Sequence, residues 1–139
     1  MITQAVDIEW MFPRHPRSAG RARVQLLRQA YVWQVADETT EIAVLLLSEL
    51  VTNACRHARG PRDRLVGVRC LIVDDLLRVE VTDANEDLPQ PREAALDDEA
   101  GRGLHLVDAL ADSWGAHLRG EGYRGKTVWF QLKLWGGAL

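Results

Sequence analysis

Two kinds of apolar spacing alternate along the chain and predict its secondary structure. Strict alternation of apolar and polar residues is typical of half-buried strands, and Val6 to Phe12 is the first stretch that shows it. The predicted strands cover residues 6–12, 65–73, 76–83, 114–119 and 126–135. Helical spacing predicts three helices, at about residues 18–36, 38–58 and 103–112.

The first predicted helix has an apolar stripe. Spacing of three to four residues selects one stripe that we expect to face the core, composed of Val24, Leu27, Tyr31 and Val35. Ser18 suits the N-cap of this helix.

The predicted strands fall in hairpin pairs, and the helices lie between the pairs. Asp74-Asp75 suits a tight hairpin turn between the second and third strands. Residues 84–100 hold prolines, many acidic residues and little apolar pattern, which predicts a long loop. Loops longer than about 12–15 residues in a compact domain are often functional lids. This order favours a two-layer α+β sandwich with helices covering one face of a sheet.

The second predicted helix carries the most informative motif, Glu-Leu-Val-Thr-Asn-Ala-Cys-Arg-His at residues 49–57. Glu49, Asn53 and His57 are four residues apart, so they share one helix face with Leu45. Residues 42–47 are all apolar, which predicts a buried helix. Because a buried carboxylate or carboxamide is costly without a partner, a bound metal ion and a polarised water would be suitable partners. The spacing alone is more often that of a solvated helix edge.

General chemistry gives several of these groups a role in phosphoryl transfer. The carboxamide oxygen of Asn53 suits Mg²⁺, and Glu49 can accept a proton from a hydroxyl group. Gly101-Arg102-Gly103-Leu104 opens the third predicted helix, where free N–H groups favour phosphate. Arg102 or Arg56 would add positive charge there.

These motifs resemble the N-box and glycine box of the Bergerat (histidine-kinase-like, GHKL) ATPase fold. Within it, the chain resembles the bacterial anti-sigma regulatory factor or serine-protein kinase family. The resemblance covers nearly the whole chain and implies a single domain, residues 1–139. It implies a two-layer sandwich whose mixed, mostly antiparallel sheet is covered on one face by three helices.

The resemblance also assigns site residues. It implies that Glu49 is the general base, that Asn53 is a Mg²⁺ ligand and that Asp83 accepts a hydrogen bond from the adenine amine. It places Thr127 near the nucleotide. The remaining candidate nucleotide-binding residues are Arg56, His57, Asn85, Gly101, Arg102, Gly103 and Leu104. Asn85 departs from the family pattern, because it stands where the first glycine box has glycine.

A second nucleotide-binding expression also occurs in the chain. Residues 120–127 fit the P-loop pattern G-x-x-x-x-G-K-T. A P-loop is followed by a helix, whereas residues 128–132 alternate as a strand does. We therefore interpret this match as accidental.

Composition narrows the choice of partners and compartment. A net charge of −3 gives no basic footprint for nucleic acid. No apolar run approaches the roughly 20 residues that span a bilayer, and no secretory signal is visible. Cys55 and Cys70 lie in apolar patterns without zinc-site spacing, which favours reduced core thiols in a cytoplasmic protein.

The resemblance implies an ATP- and Mg²⁺-dependent kinase that phosphorylates a serine or threonine of a STAS-type anti-anti-sigma antagonist. It further implies that the protein sequesters a sigma factor and forms a homodimer. One alternative is a binding module of the same fold with little or no turnover, suggested by Asn85. A remote alternative is a small acyl-CoA transferase that binds pyrophosphate at Gly101–Gly103.

Overall fold

The computed structural model of the protein describes residues 6–57, 65–84 and 99–135. Its strands and helices occur in the order that the apolar pattern predicts. In chain order they are β1 (Val6–Pro13), α1 (Ser18–Val32), α2 (Asp37–His57), β2 (Leu65–Val73), β3 (Leu76–Asp83), α3 (Glu99–Leu110), β4 (Ser113–Leu118) and β5 (Lys126–Lys133).

The five strands form one sheet in the order β1-β2-β3-β5-β4, and every neighbouring pair is antiparallel. The central strand β3 lies between β2 and β5. Side chains alternate between the two faces of a strand, and Leu77, Val79 and Val81 of β3 are buried on the face that the helices cover. The predicted α+β sandwich is therefore confirmed, but over the described residues the sheet is antiparallel throughout rather than mixed.

The core lies between this sheet face and α2. Phe130 of β5 and Leu46, Leu47 and Val51 of α2 are fully buried. Burying one such side chain contributes about 1.5–3 kcal/mol relative to leaving it exposed. The position of α2 on the sheet is therefore strongly fixed.

The predicted core stripe of α1 is wrong. Val24, Leu27 and Tyr31 are 45%, 49% and 86% exposed, and of the predicted stripe only Val35, beyond the helix end, is buried. The buried side chains are instead Ser18, Ala22, Leu26 and Ala30. Three of these four are small, which lets α1 approach α2 closely. The larger apolar side chains remain on the outer side of the helix.

The opposite face of the sheet is polar and partly exposed. Arg78 lies 4.1 Å from the ring centre of Trp129, and its Nε donates to Glu80 at 2.7 Å. On the same face, the hydroxyl groups of Thr82 and Thr127 are 2.8 Å apart. The side chain of Thr127 thus belongs to the face that the helices do not cover.

Both cysteines are free thiols. Burial raises the pKa of the Cys70 thiol to about 12, so this thiol stays protonated in the folded protein. Within the described part of the chain, no helix combines the length and the apolar character that a bilayer crossing requires.

The α1 interface can be tested with two adjacent leucines. Leu26 is fully buried, whereas Leu27 is about half exposed. We expect Leu26→Ala to lower the free energy of unfolding by about 2–5 kcal/mol, and Leu27→Ala to change it by about 0.5 kcal/mol or less. Urea unfolding at two protein concentrations measures both effects and separates folding from association. Equal losses at the two positions would contradict this orientation of α1.

Candidate functional site

The polar stripe of α2 is half-buried rather than fully buried. Leu45, at its start, is 41% exposed, which corrects the expectation of a helix buried on all sides. Glu49 and Asn53 follow one and two turns later and are partly exposed. Because α2 is held by apolar packing on its other sides, this stripe is free to carry polar chemistry.

The start of α3 covers this stripe at Gly103. A Cβ atom added there would lie 3.1 Å from Glu49 Oε2 and 3.2 Å from Asn53 Nδ2. These distances are tighter than ordinary van der Waals contact, so a side chain at residue 103 would displace one of the two polar groups. The absence of a side chain thus lets the α3 backbone approach the carboxylate and the carboxamide together. Gly103 of α3 and the polar stripe of α2 therefore meet in space.

The third helix begins four residues earlier than predicted, at Glu99, and ends at Leu110. Gly101 therefore lies in the first turn, where backbone N–H groups have no partner within the helix and are available to an anion. Gly103 lies further into the helix, where its contribution is close approach. Leu104 is buried. The side chain of Arg102 is outside the part of the chain that the structure describes.

The end of β3 carries the second part of the site, a buried ion pair. Asp83 and Lys126 are opposite each other in the β3–β5 ladder. Lys126 Nζ donates to both carboxylate oxygens of Asp83, at 3.1 Å each. The side chains are 5% exposed for Asp83 and 10% exposed for Lys126. Both point to the sheet face that the helices cover, since they alternate with the outward-facing Thr82 and Thr127.

Gly125 is required for this arrangement. Its φ is +111°, and a Cβ atom there would overlap the carbonyl oxygen of Asp83. Gly120 and Gly122 of the preceding turn also have positive φ, and β5 follows the turn directly. The interpretation of residues 120–127 as a strand connection rather than a P-loop is therefore confirmed.

One sequence-predicted residue is not brought to this pair. Thr127 lies on the opposite face of the sheet, beside Thr82, and Lys126 is the β5 residue that meets Asp83. Sequence reasoning missed Lys126, although it lies within residues 120–127, the segment that fits the P-loop pattern. The strand register supplies the missing signal: the residue opposite Asp83 shares its face.

Helix α2, which carries the polar stripe, packs against β3, the strand that ends at Asp83. Burial raises the pKa of the Cys55 thiol in the last turns of α2, and the charge of Asp83 adds to this rise. A cavity of about 280 Å³ lies beside these turns, lined by His15, Pro16, Ala19, Thr52, Cys55 and Arg56. Arg56 is exposed and has bonding partners.

Three sequence predictions besides Arg102 rest on parts of the chain that the structure does not describe. Asn85 and most of the proposed lid, residues 85–98, are outside the described residues, and so is the side chain of His57. α2 itself ends at His57. Ala84 is the last described residue before the gap, directly after Asp83.

Comparison of the sequence with known proteins identifies relatives. Residues 12–132 match the family model described as the histidine kinase-like ATPase domain. The chain is 33% identical over 131 residues to the serine-protein kinase RsbW of Bacillus pumilus, covering 80% of this chain and 78% of that protein. It is 48% identical over 46 residues to the uncharacterized protein SCO4941 of Streptomyces coelicolor, covering 32% of this chain and 44% of that protein.

Solved structures share the fold. The crystal structure of the RsbU and RsbW domains of Rv1364c from Mycobacterium tuberculosis superposes with a TM-score of 0.72 at 18% identity, covering 93% of this chain and 32% of that chain. At that identity the likeness shows the fold alone. The blue-light activated histidine kinase EL346 of Erythrobacter litoralis gives a TM-score of 0.55 at 30% identity, covering 72% of this chain and 32% of that chain.

The close approach at Gly103 generates a prediction with a matched control. In a helix, alanine is more favourable than glycine by about 1 kcal/mol. Gly20 of α1 has space for a Cβ atom and therefore serves as the control position. We expect Gly20→Ala to preserve or raise stability and to leave Mg·ATP binding unchanged. We expect Gly103→Ala to weaken Mg·ATP binding about tenfold or more, which corresponds to about 1.4 kcal/mol of lost interaction. Calorimetric titration measures both, and wild-type affinity in Gly103→Ala would contradict a site at this contact.

Proposed function

The chain belongs to the histidine kinase-like ATPase domain family, in the branch of the serine-protein kinase RsbW, and we propose that it is an ATP-dependent anti-sigma regulator. It phosphorylates a serine or threonine of an anti-anti-sigma antagonist and sequesters a sigma factor. The observation that carries the proposal is the approach of the Gly103 backbone to both Glu49 and Asn53. It joins a base, an oxygen ligand and the glycine-containing start of a helix in one place. An acyl-CoA transferase would give Glu49 and Asn53 no role, and membership of the ATPase family removes the reason to consider that activity.

The residues around Gly103 fit a magnesium nucleotide. Asn53 offers a neutral oxygen ligand, and Mg²⁺ at nucleotide sites is usually held by few protein oxygens together with phosphate and water. When bound, Mg²⁺ neutralises charge on the phosphate oxygens. Gly101 in the first turn of α3 presents backbone N–H groups to phosphate. Glu49, one turn from Asn53, accepts the proton of the attacking hydroxyl group.

Asp83 recognises the base in this proposal. A carboxylate accepts hydrogen bonds only, so it selects a donor such as the exocyclic amine of adenine. Its position at the end of β3, near the last turns of α2, separates base recognition from the phosphate end of the site. The nucleotide then lies between the end of the sheet and the start of α3.

A binding module without turnover is the second candidate. It is favoured by the buried ammonium of Lys126, a large charged group beside the carboxylate that would receive the base. Such a module would still hold a sigma factor or an antagonist by overlapping surfaces and mass action. Detectable nucleotide binding without phosphorylation of any antagonist would support this candidate.

The remaining expectations concern partners and location. We propose a cytoplasmic homodimer that binds a sigma factor and a STAS-type antagonist in competition. The outer side of α1 offers an apolar surface for contact with another chain, since Val24, Leu27, Tyr31 and Val32 are exposed there.

Nucleotide binding is tested by thermal unfolding with and without Mg·ATP. A ligand at 100 times its Kd stabilises the folded state by about 2.7 kcal/mol, which raises the midpoint by several degrees for a domain of this size. We expect wild type to show this rise only with Mg²⁺, and Asn53→Ala to lose it. Thr52→Ala, the neighbouring position on α2, is the matched control and should keep the rise. A Mg²⁺-independent rise of the same size in all three proteins would exclude the ligand role of Asn53.

Phosphoryl transfer is tested with Glu49→Gln, which keeps the shape of the side chain and removes the base. We expect transfer from labelled ATP to a cognate antagonist to fall by about 10²–10⁴-fold, while Mg·ATP affinity stays near that of wild type. Glu41→Gln changes an exposed carboxylate two turns earlier on the same helix and should leave the rate unchanged. Transfer by Glu49→Gln at close to the wild-type rate would remove Glu49 from the mechanism.

A further inference from the structure

The buried ion pair at the end of β3 contains a group, the ammonium of Lys126, that base recognition by Asp83 does not by itself require. An adenine amine needs one acceptor, yet the structure places an ammonium group 3.1 Å from both oxygens of that acceptor. Lys126 is 8% exposed as a whole residue, so its aliphatic stem is also withdrawn from water. Burying this cation is costly unless the pairing compensates for it. The position therefore calls for a specific role.

The contacts around the pair restrict the carboxylate in two ways. Nζ lies 3.1 Å from each of the two oxygens, so the whole carboxylate group is tied to one ammonium group. The antiparallel ladder sets Asp83 opposite Lys126, and Gly125 packs against the backbone of Asp83. Side chain and main chain of Asp83 are thus both held by the start of β5.

We propose that Lys126 is a positioning residue for base recognition: its ammonium group holds the Asp83 carboxylate charged and in one orientation, ready to accept the amine of a purine nucleotide. This inference rests on the proposed function, because it assumes that Asp83 meets the base. Lys126 acts through Asp83 and takes no part in phosphoryl transfer.

The ammonium does not exhaust the acceptor capacity of the carboxylate. An ionised carboxylate offers about four lone-pair positions, and an ammonium shared between the two oxygens uses one on each. The two hydrogen bonds from Lys126 therefore do not by themselves fill the acceptor positions of Asp83. A hydrogen bond to a charged acceptor is stronger than one to a neutral acceptor. Because the ammonium of Lys126 holds the Asp83 carboxylate in its charged form, we expect loss of the ammonium to weaken recognition of the base.

The test compares ATP with purine riboside triphosphate, which lacks only the 6-amino group. Calorimetric titration with Mg²⁺ present gives the affinity of each nucleotide for wild type, Lys126→Met, Asp83→Asn and the double variant. For wild type we expect a preference for ATP of about tenfold or more, as for a hydrogen bond to a charged group. In Lys126→Met the preference for ATP should fall to about threefold or less. The affinity for the analogue should change little, because its phosphate contacts are intact.

The double variant distinguishes positioning from a general structural role. If Lys126 acts through Asp83, Lys126→Met should not lower the preference further once Asp83 is already Asn. A purely structural role would weaken both nucleotides equally and leave the ratio at its wild-type value, which would overturn the proposal. A higher ATP affinity in Lys126→Met would also overturn it, because the ammonium would then be a competitor of the base.

Two further measurements keep the test decisive. Lys126→Met leaves a buried carboxylate without this cation and is the variant at risk of unfolding, so Lys126→Gln, which keeps a hydrogen-bond donor, is measured beside it. An intermediate preference in Lys126→Gln supports the proposal, and a wild-type preference overturns it. Phosphoryl transfer at saturating ATP should be nearly unchanged in Lys126→Gln while KM for ATP rises. Failure of wild type to bind Mg·ATP would instead overturn the proposed function, and this inference with it.

Discussion

The structure depends on α2 being packed on most of its sides and polar on one. Its fully buried leucines and valine fix it against the sheet and α1, so the helix cannot rotate without exposing apolar surface. The remaining stripe, with Glu49 and Asn53, then has a fixed direction. Because the polar groups gain their orientation from apolar packing elsewhere on the helix, the site is preorganised at little additional cost.

Both parts of the site are built at places where the backbone of one element approaches the next. Gly103 lets α3 approach the carboxylate and carboxamide of α2, and Gly125 lets β5 approach the end of β3. Larger residues at either position would separate elements whose polar groups lie side by side. The two glycines serve different needs, since Gly103 is helical and supplies only space, whereas Gly125 also requires a left-handed backbone.

The sequence predicts this molecule well where one local pattern decides and poorly where packing decides. The bounds of β2 and β3 agree residue for residue with the prediction, because alternation and a two-residue turn specify both strands and their register. The buried face of α1 was missed because Ser18, Ala22 and Ala30 carry little apolar signal, although their small size allows close packing. The start of α3 was misplaced because its glycines resemble a helix boundary, whereas both lie inside the helix and Gly103 packs against α2.

The choice between Thr127 and Lys126 shows why site residues are harder to predict than elements. A shift of one residue along a strand moves a side chain to the other face of the sheet. An error of one residue is therefore negligible for the bounds of β5, but it changes which side chain lies beside Asp83.

Only the pairing of β5 with β3 decides which of the two residues meets Asp83, and that pairing joins positions 43 residues apart. The same pairing is the basis of the role proposed for Lys126. In the proposed site, base contacts would come from the sheet layer and phosphate contacts from the helical layer, so a bound nucleotide would tie the two layers together. The rigidity of Asp83 within the sheet would then determine how much of the binding energy depends on the identity of the base.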